Sequence, residues 1–391
     1  MRVTLVVPGQ FHAFQLADQL EKHGHLRRLI TTYPRYKVRQ WKIAHRHILS
    51  LPGYEVLKRV APRLAAPFDR VTQAQVASYL LFAANASLLI PGDTDLVVAW
   101  AGAAARMIRR AHRMGAMAIV ERGSSHIAEQ HRLLIEEHRL LGVRPPDLPD
   151  DHVTRDEREY DEADYVAIPS SFARRTFLER GFPESKLIQV PYGVDLRLFS
   201  PPEKPYDGPF RVMFCGMVCI RKGVHHLLQA FQELNIKGSE LWLVGNIESS
   251  FRPLLERWKH PGIRVFGSRP QAELKRLYGQ CSVFCLPSIE EGWPMVIPQA
   301  MACGLPVIVS ENTSGTDLID EGKQGYVTPI RDVAALKDRL ATLAADGDLR
   351  ARMGAAALAR VREGFSWDRY GDRMISEYQR VLAGPSRRPM T

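Results

Sequence analysis

The stretch with most chemistry is residues 287–308, PSIEEGWPMVIPQAMACGLPVI. An apolar, strand-like run ends just before it. A loop with two carboxylates, Glu290 and Glu291, follows. Proline is tolerated in a first helical turn, where N–H groups have no partner. Pro298 therefore predicts a helix that starts near residues 294–295 and ends before Gly304. The N–H groups of Trp293 and Met295 and the positive helix end would then face the loop, an arrangement suited to an anion. The loop also lies at the carboxyl end of a strand, where open α/β sheets take ligands. Two adjacent carboxylates in one loop cannot act as a glycosidase pair, whose members flank a bond from opposite sides roughly 5–9 Å apart.

A second segment reads FCGMVCIRKGVHHLLQAF, residues 214–231. A strand ends at Gly216, and Arg221, Lys222 and Gly223 precede a helix. A lone Arg-Lys pair is usually a solvated surface feature. At a strand–loop–helix junction it suits a diphosphate, with Lys as point charge and Arg as fork. In the N-terminal loop PGQFH, Gly9 lets backbone approach a ligand. There is no G-x-G-x-x-G, so a dinucleotide cofactor is disfavoured. The loop ERGSSH follows another apolar run and presents His126 at its carboxyl end. A lone His is most often structural; this placement marks it for a substrate contact.

Positioning these loops requires alternating strands and helices. Apolar runs at residues 3–7, 96–100, 116–120 and 165–168 alternate with helical stretches, as do runs at 211–214, 240–244, 263–266, 283–286 and 306–309. Alternation of this kind predicts parallel sheets covered by helices. At 391 residues the chain exceeds a single core. Residues 200–209, SPPEKPYDGP, have linker composition. The expected division is one α/β domain over 1–199, a second over 200–365, and a helical segment over 366–391 that packs back on the first domain.

Charge is uneven. The net charge is +10, yet residues 1–70 hold 13 Lys/Arg against 4 Asp/Glu. Residues 33–63 carry eight Lys/Arg and one Glu, interleaved with aromatic and aliphatic side chains. Such a segment is ordinarily a solvated helix face; at one end of a globular chain it predicts peripheral docking on anionic lipid. The basic block has no nucleic-acid motif, so no nucleic acid partner is expected. The spacing C-x3-C occurs twice, in apolar runs without His, which predicts buried thiols rather than a metal site. Five Cys without a disulfide pattern, and an N-terminus without a signal-type apolar region, predict a cytoplasmic protein.

The segment EGWPMVIPQAMACGLPVI resembles the Glu-x7-Glu region of the retaining glycosyltransferases of family 4, which run E-G-F-G-L-P-x-x-E-A-M-A-C-G. VPYGVDLRLF (190–199), G-x5-KG (216–223), LVGN (243–246) and LPS (286–288) are also similar in order and spacing. The resemblance is strong over residues 160–370 and weak before 120. It implies the GT-B architecture, two Rossmann-like domains facing across a cleft, with 1–199 as the N-terminal acceptor-binding domain and 200–365 as the C-terminal nucleotide-sugar-binding domain. It implies transfer of a hexose from a UDP- or GDP-linked sugar, with retention, no metal and no cofactor. A glycan or lipid-linked acceptor in cell-envelope, lipopolysaccharide or exopolysaccharide assembly, at the inner face of the plasma membrane, would be the setting. By position, Glu291 would bond donor hydroxyls, and backbone N–H groups from Gly292 through Trp293 and Pro294 to Met295 would surround sugar and phosphates. Lys222 with Arg221 would neutralise the leaving diphosphate, with Gly9 and Gly216 beside it. His126 would lie near the reacting sugar, and Ser268 and Arg269 would meet the base. The family's second Glu is Gln299 here, expected at the ribose, and its usual Arg is Met217. These departures leave a second expectation, a relative that binds such ligands without transfer.

Overall fold

The computed structural model describes residues 1–65, 71–145, 151–258 and 260–384. The chain builds two parallel sheets. The first holds seven strands: β1 (Val3–Val7), β2 (Leu26–Thr31), β3 (Ile48–Ser50), β4 (Leu96–Trp100), β5 (Met117–Glu121), β6 (Tyr165–Ile168) and β7 (Leu187–Gln189). Their order is β3-β2-β1-β4-β5-β6-β7. The second holds β8 (Arg211–Cys215), β9 (Glu240–Val244), β10 (Ile263–Gly267), β11 (Val283–Leu286), β12 (Val307–Ser310) and β13 (Gly325–Thr328), in the order β10-β9-β8-β11-β12-β13. Helices cover both faces, so β1, β4 and β11 are buried at every position. That double burial is why these strands read as continuous apolar runs rather than alternating ones.

In each sheet the strand order reverses beside one strand, at β1/β4 and at β8/β11. Loops leaving the carboxyl ends of those pairs diverge and open a crevice. Both Lys222 and Glu291 leave from the second switch point; Gly9 leaves from the first, and the segment 121–126 leaves from β5, the strand next to β4.

The helix Trp367–Ala383 returns to the first sheet and packs on the helix Ala13–Lys22. Asp368 accepts from Gln19 Nε2 and Lys22 Nζ, each at 3.0 Å. The Val194 N–H donates to Phe365 O at 2.7 Å, tying the outgoing and returning chain together. Residues 385–391 of the expected third segment lie outside the described residues. The helix after Glu291 spans Val296–Ala302 with Met295 as N-cap, placing Pro298 in its first turn as the sequence requires. All five cysteines are free and buried.

Candidate active site

A cleft of about 630 Å³ lies between the sheets. Its first-domain wall includes His12, Trp100, Glu121, Arg155, Asp156 and Tyr192, and Arg221, Glu291, Trp293 and Met295 face it from the second domain. Lys222 Nζ and a Glu291 carboxylate oxygen are in direct contact, with both side chains largely buried. Two residues separated by 69 positions thus form one ion pair at the rim between sugar-sized space and a helix-capped loop.

The backbone makes this pairing possible. Gly223 has φ +62°, and a Cβ there would stand 1.9 Å from Pro287 O. Only glycine lets the Lys222 loop lie against the loop after β11. Gly292 plays a different part. A Cβ on it would meet Gly123 O at 2.1 Å, so the backbones of the two domains touch there.

Arg221 is not a free cation for a ligand. Its Nε donates to Glu290 Oε2 at 2.9 Å, and one terminal nitrogen donates to Ser124 Oγ at 3.2 Å. Glu290 is wholly buried and also accepts from Ser125 N at 2.9 Å, Ser125 Oγ at 2.7 Å and Gln130 Nε2 at 2.7 Å. Burial works to raise the Glu290 carboxyl, but the Arg221 charge and these bonds overcome it and hold it at about 2. A second clamp runs the opposite way. Glu137, on the first-domain helix Ile127–Leu140, accepts from His225 Nε2 at 2.7 Å, His226 Nε2 at 2.8 Å and Arg331 Nε at 2.6 Å. Desolvation opposes its charge, yet the three partners hold its carboxyl well below the usual range. Among the described residues, Glu137, His225 and His226 alone combine three groups within reach of a single metal ion. Here they bond one another.

His126 is a correction to the sequence expectation. It is 5% exposed, its Nδ1 accepts from the Ala128 N–H at the start of the helix Ile127–Leu140, and Tyr160 and Phe177 pack edge-on against its ring. Burial pushes its imidazole down to about 4, so it is a neutral helix cap in an aromatic cage. It does not line the cleft. His12 and His152 do; His12 is stacked on Tyr192 at 3.9 Å between ring centroids, with Nε2 3.3 Å from Glu121 Oε2. The signal for this pair was present in position: His12 follows β1 and Glu121 ends β5, both at the carboxyl edge of the first sheet.

The remaining expected residues divide. Trp293 and Met295 reach the cleft, and Trp293 also stacks on Phe365 at 5.8 Å. Pro294 is buried beneath them. Gly9 and Gly216 both adopt φ above +140°, which glycine alone tolerates easily. Gln299 is 7% exposed and its Oε1 has no partner. Ser268 and Arg269 lie exposed after β10, with Arg269 3.6 Å from Glu273, away from the described cleft.

Residues 198–360 match the family model described as Glycosyl transferases group 1. A putative colanic acid biosynthesis glycosyltransferase, WcaL of Escherichia coli K12, is 30% identical over 173 residues, 41% of this chain and 43% of that protein. An O-antigen chain mannosyltransferase B of Escherichia coli is 31% identical over 176 residues, 43% of this chain and 45% of that protein. The matched segment thus spans less than half the length of each of these two relatives. In three dimensions the likeness covers nearly all of the chain. HepE of Anabaena, solved with UDP and glucose, superposes with a TM-score of 0.72 over 97% of this chain and 99% of that one, at 14% identity. Sucrose-phosphate synthase of Thermosynechococcus elongatus gives 0.67 over 98% and 100%, at 18% identity. The paired Lys222 and Glu291 both fall within the segment that matches the Glycosyl transferases group 1 model, set in a chain with the GT-B fold.

Proposed function

We propose that this protein transfers a hexose, with retention and without a metal, from a UDP- or GDP-linked sugar to a glycan or lipid-linked acceptor in polysaccharide assembly. The observation that carries the reading is the Lys222–Glu291 pair at the cleft between the two sheets. A nucleoside diphosphate entering there competes with Glu291 for Lys222. Lys222 then turns to the diphosphate, and the released carboxylate accepts hydrogen bonds from donor hydroxyls. As the sugar–phosphate bond breaks, charge grows on the leaving oxygens, and a cation already in place stabilises that state more than the ground state. Gln299 offers its unpartnered Oε1 to a ribose hydroxyl. Relatives named for colanic acid and O-antigen synthesis support the polysaccharide setting.

Release of nucleoside diphosphate from a panel of UDP- and GDP-sugars, with and without EDTA, tests this. We expect Lys222→Ala and Glu291→Ala each to lose at least a hundredfold in rate, the scale of one preorganised electrostatic contact. Near-normal turnover in both variants would remove the assignment. Complete, metal-reversible loss in EDTA would remove the metal-free mechanism, and an inverted anomer in the product would remove retention. The second reading, binding without transfer, rests on Gln299 and Met217 in place of charged residues; it predicts nucleotide binding with no release.

A lipid-facing surface belongs to the same reading. The helix Pro52–Ala65 exposes Val56 (61%), Val60 (41%) and Leu64 (69%), spaced four apart beside Lys58 and Arg59. Among the described residues no helix is long and apolar enough to cross a membrane. An apolar stripe edged with cations suits the interface of an anionic bilayer. Flotation with phosphatidylglycerol liposomes should carry the protein, and phosphatidylcholine liposomes should not. Equal, salt-insensitive behaviour with both refutes the surface.

A further inference from the structure

Buried polar atoms without partners are costly and rare, and a native fold has few of them. In this protein several gather around the cleft, four of them on its first-domain wall. Trp100 Nε1, Glu121 Oε1, Asp156 Oδ1, Tyr192 OH and Trp293 Nε1 all lack a hydrogen-bond partner, and all five residues line the cleft. Each is at most 5% exposed. Two of the five sit at strand ends on the first-domain side: Trp100 ends β4, Glu121 ends β5, and the two are paired in register.

The two carboxylates are each half used. His12 takes Glu121 Oε2 at 3.3 Å and leaves Oε1 open. Arg122 stands 3.6 Å from Asp156 Oδ2 and leaves Oδ1 open. Neither is thereby free to turn away, because the used oxygen fixes the direction of the unused one. A carboxylate oxygen accepts and cannot donate. Two such atoms in a buried wall therefore ask for donors, and the indole and phenol groups beside them can donate to a ligand's oxygens. Trp100 and Tyr192 also present flat apolar rings to the same space. Converging acceptors, donors and aromatic faces fit a ring bearing several hydroxyls. Arg122, Arg155 and Arg221 line the same cleft, with Arg122 3.6 Å from Asp156 and Arg221 2.9 Å from Glu290; a ring carboxylate set against the two open oxygens themselves would still meet like charge in a desolvated place, where repulsion is strong.

We infer that Glu121 and Asp156 bind the acceptor, each through its open oxygen to a hydroxyl of an uncharged or amino-bearing sugar ring, and that they exclude a uronic acid from that position. The inference rests on the glycosyl-transfer reading above, since it names the second substrate of the same cleft. It also assigns the first-domain wall a task separate from Lys222 and Glu291. Glu121 acts on the acceptor and leaves donor binding alone.

The test uses the full chain with saturation-transfer NMR. The probes are methyl α-D-glucopyranoside, methyl α-D-mannopyranoside, methyl α-D-glucosaminide and methyl α-D-glucuronide, each with UDP or GDP present. At least one of the first three should receive saturation, and the glucuronide should not. Glu121→Gln and Asp156→Asn keep shape and remove charge. Each should reduce the glycoside signal about fivefold or more, since charge-assisted bonds are roughly twice as strong as neutral ones. Nucleotide affinity, read by isothermal titration, should stay within twofold in both variants, which also shows that they fold. Unchanged glycoside signals in the two variants overturn the inference, as does a glucuronide signal equal to the neutral sugars. Binding of nucleotide with no glycoside signal at all overturns it too, because the open oxygens then serve water only. Loss of both nucleotide and glycoside binding in the native protein overturns the inference together with the glycosyl-transfer reading.

Discussion

Removing the charge of Glu290 tests how the cleft is held shut. The carboxylate comes from the second domain, is 0% exposed, and accepts from Ser125 N, Ser125 Oγ and Gln130 Nε2 of the first domain as well as from Arg221. Its folded-state value of about 2 stands against 4.5 for the free side chain. Each unit is worth about 1.4 kcal/mol, so the charged form is favoured by ~3 kcal/mol in the folded protein. A lowered carboxyl contributes stability that is complete above pH ~4.5 and is lost as pH falls toward 2. Glu290→Gln keeps the volume and gives up this contribution. At pH 7 the variant should be ~3 kcal/mol less stable by urea titration, with the gap shrinking steadily below pH 4.5. Small-angle scattering should show a larger radius of gyration, because three of the four partners' bonds cross the cleft. Equal urea midpoints at pH 7 refute the reasoning. So does a gap that does not change between pH 7 and pH 3.

Two further outcomes follow from the same geometry. His126→Ala should cost ~1 kcal/mol, as the loss of a helix cap does, and change the initial transfer rate less than threefold. With its imidazole held at about 4, native His126 makes stability rise with pH between about 4 and 6.5, and the variant should lack that slope in urea titrations. Gln299→Ala should raise the donor KM about tenfold or less, the worth of one neutral hydrogen bond, with kcat little changed in steady-state kinetics.

The second domain was the more legible half of the sequence. Its strands are short apolar runs punctuated by Gly and Pro, and Pro298 fixed the start of a helix to within two residues. β2 escaped detection because LRRLIT puts two arginines inside a strand whose apolar positions are nonetheless buried. β3 and β7 have three residues each, too few to show a period. At the site, Lys222 and Glu291 were legible because their loops carry the residues that shape them. Arg221, which does face the cleft, and His126, which does not, have partners that the sequence hides for a single reason. Sequence shows which side chains leave a strand end, but not which of them another domain will occupy. Glu290 claims Arg221, and the Tyr160–Phe177 cage claims His126.

The distribution of satisfied and unsatisfied charges separates holding from binding. Glu290 and Glu137 reach in opposite directions across the domain boundary, and their partners Gln130 and Glu137 itself lie on one first-domain helix, Ile127–Leu140. That helix is thus gripped near both ends by the second domain. Loosening one grip leaves the other, so the cleft cannot widen by a local slip; it must release two buried carboxylates together. Breaking a buried ion pair costs several kcal/mol, and such a contact has little reason to serve as a ligand site while it is made. Glu121 and Asp156 are buried as deeply and lack a full set of partners. Their incomplete bonding stands beside the multiply bonded carboxylates of Glu290 and Glu137 on the same boundary. The two clamps hold the domains together, and the buried carboxylate oxygens left open among the described residues lie on the wall where a hydroxyl-bearing ligand can satisfy them.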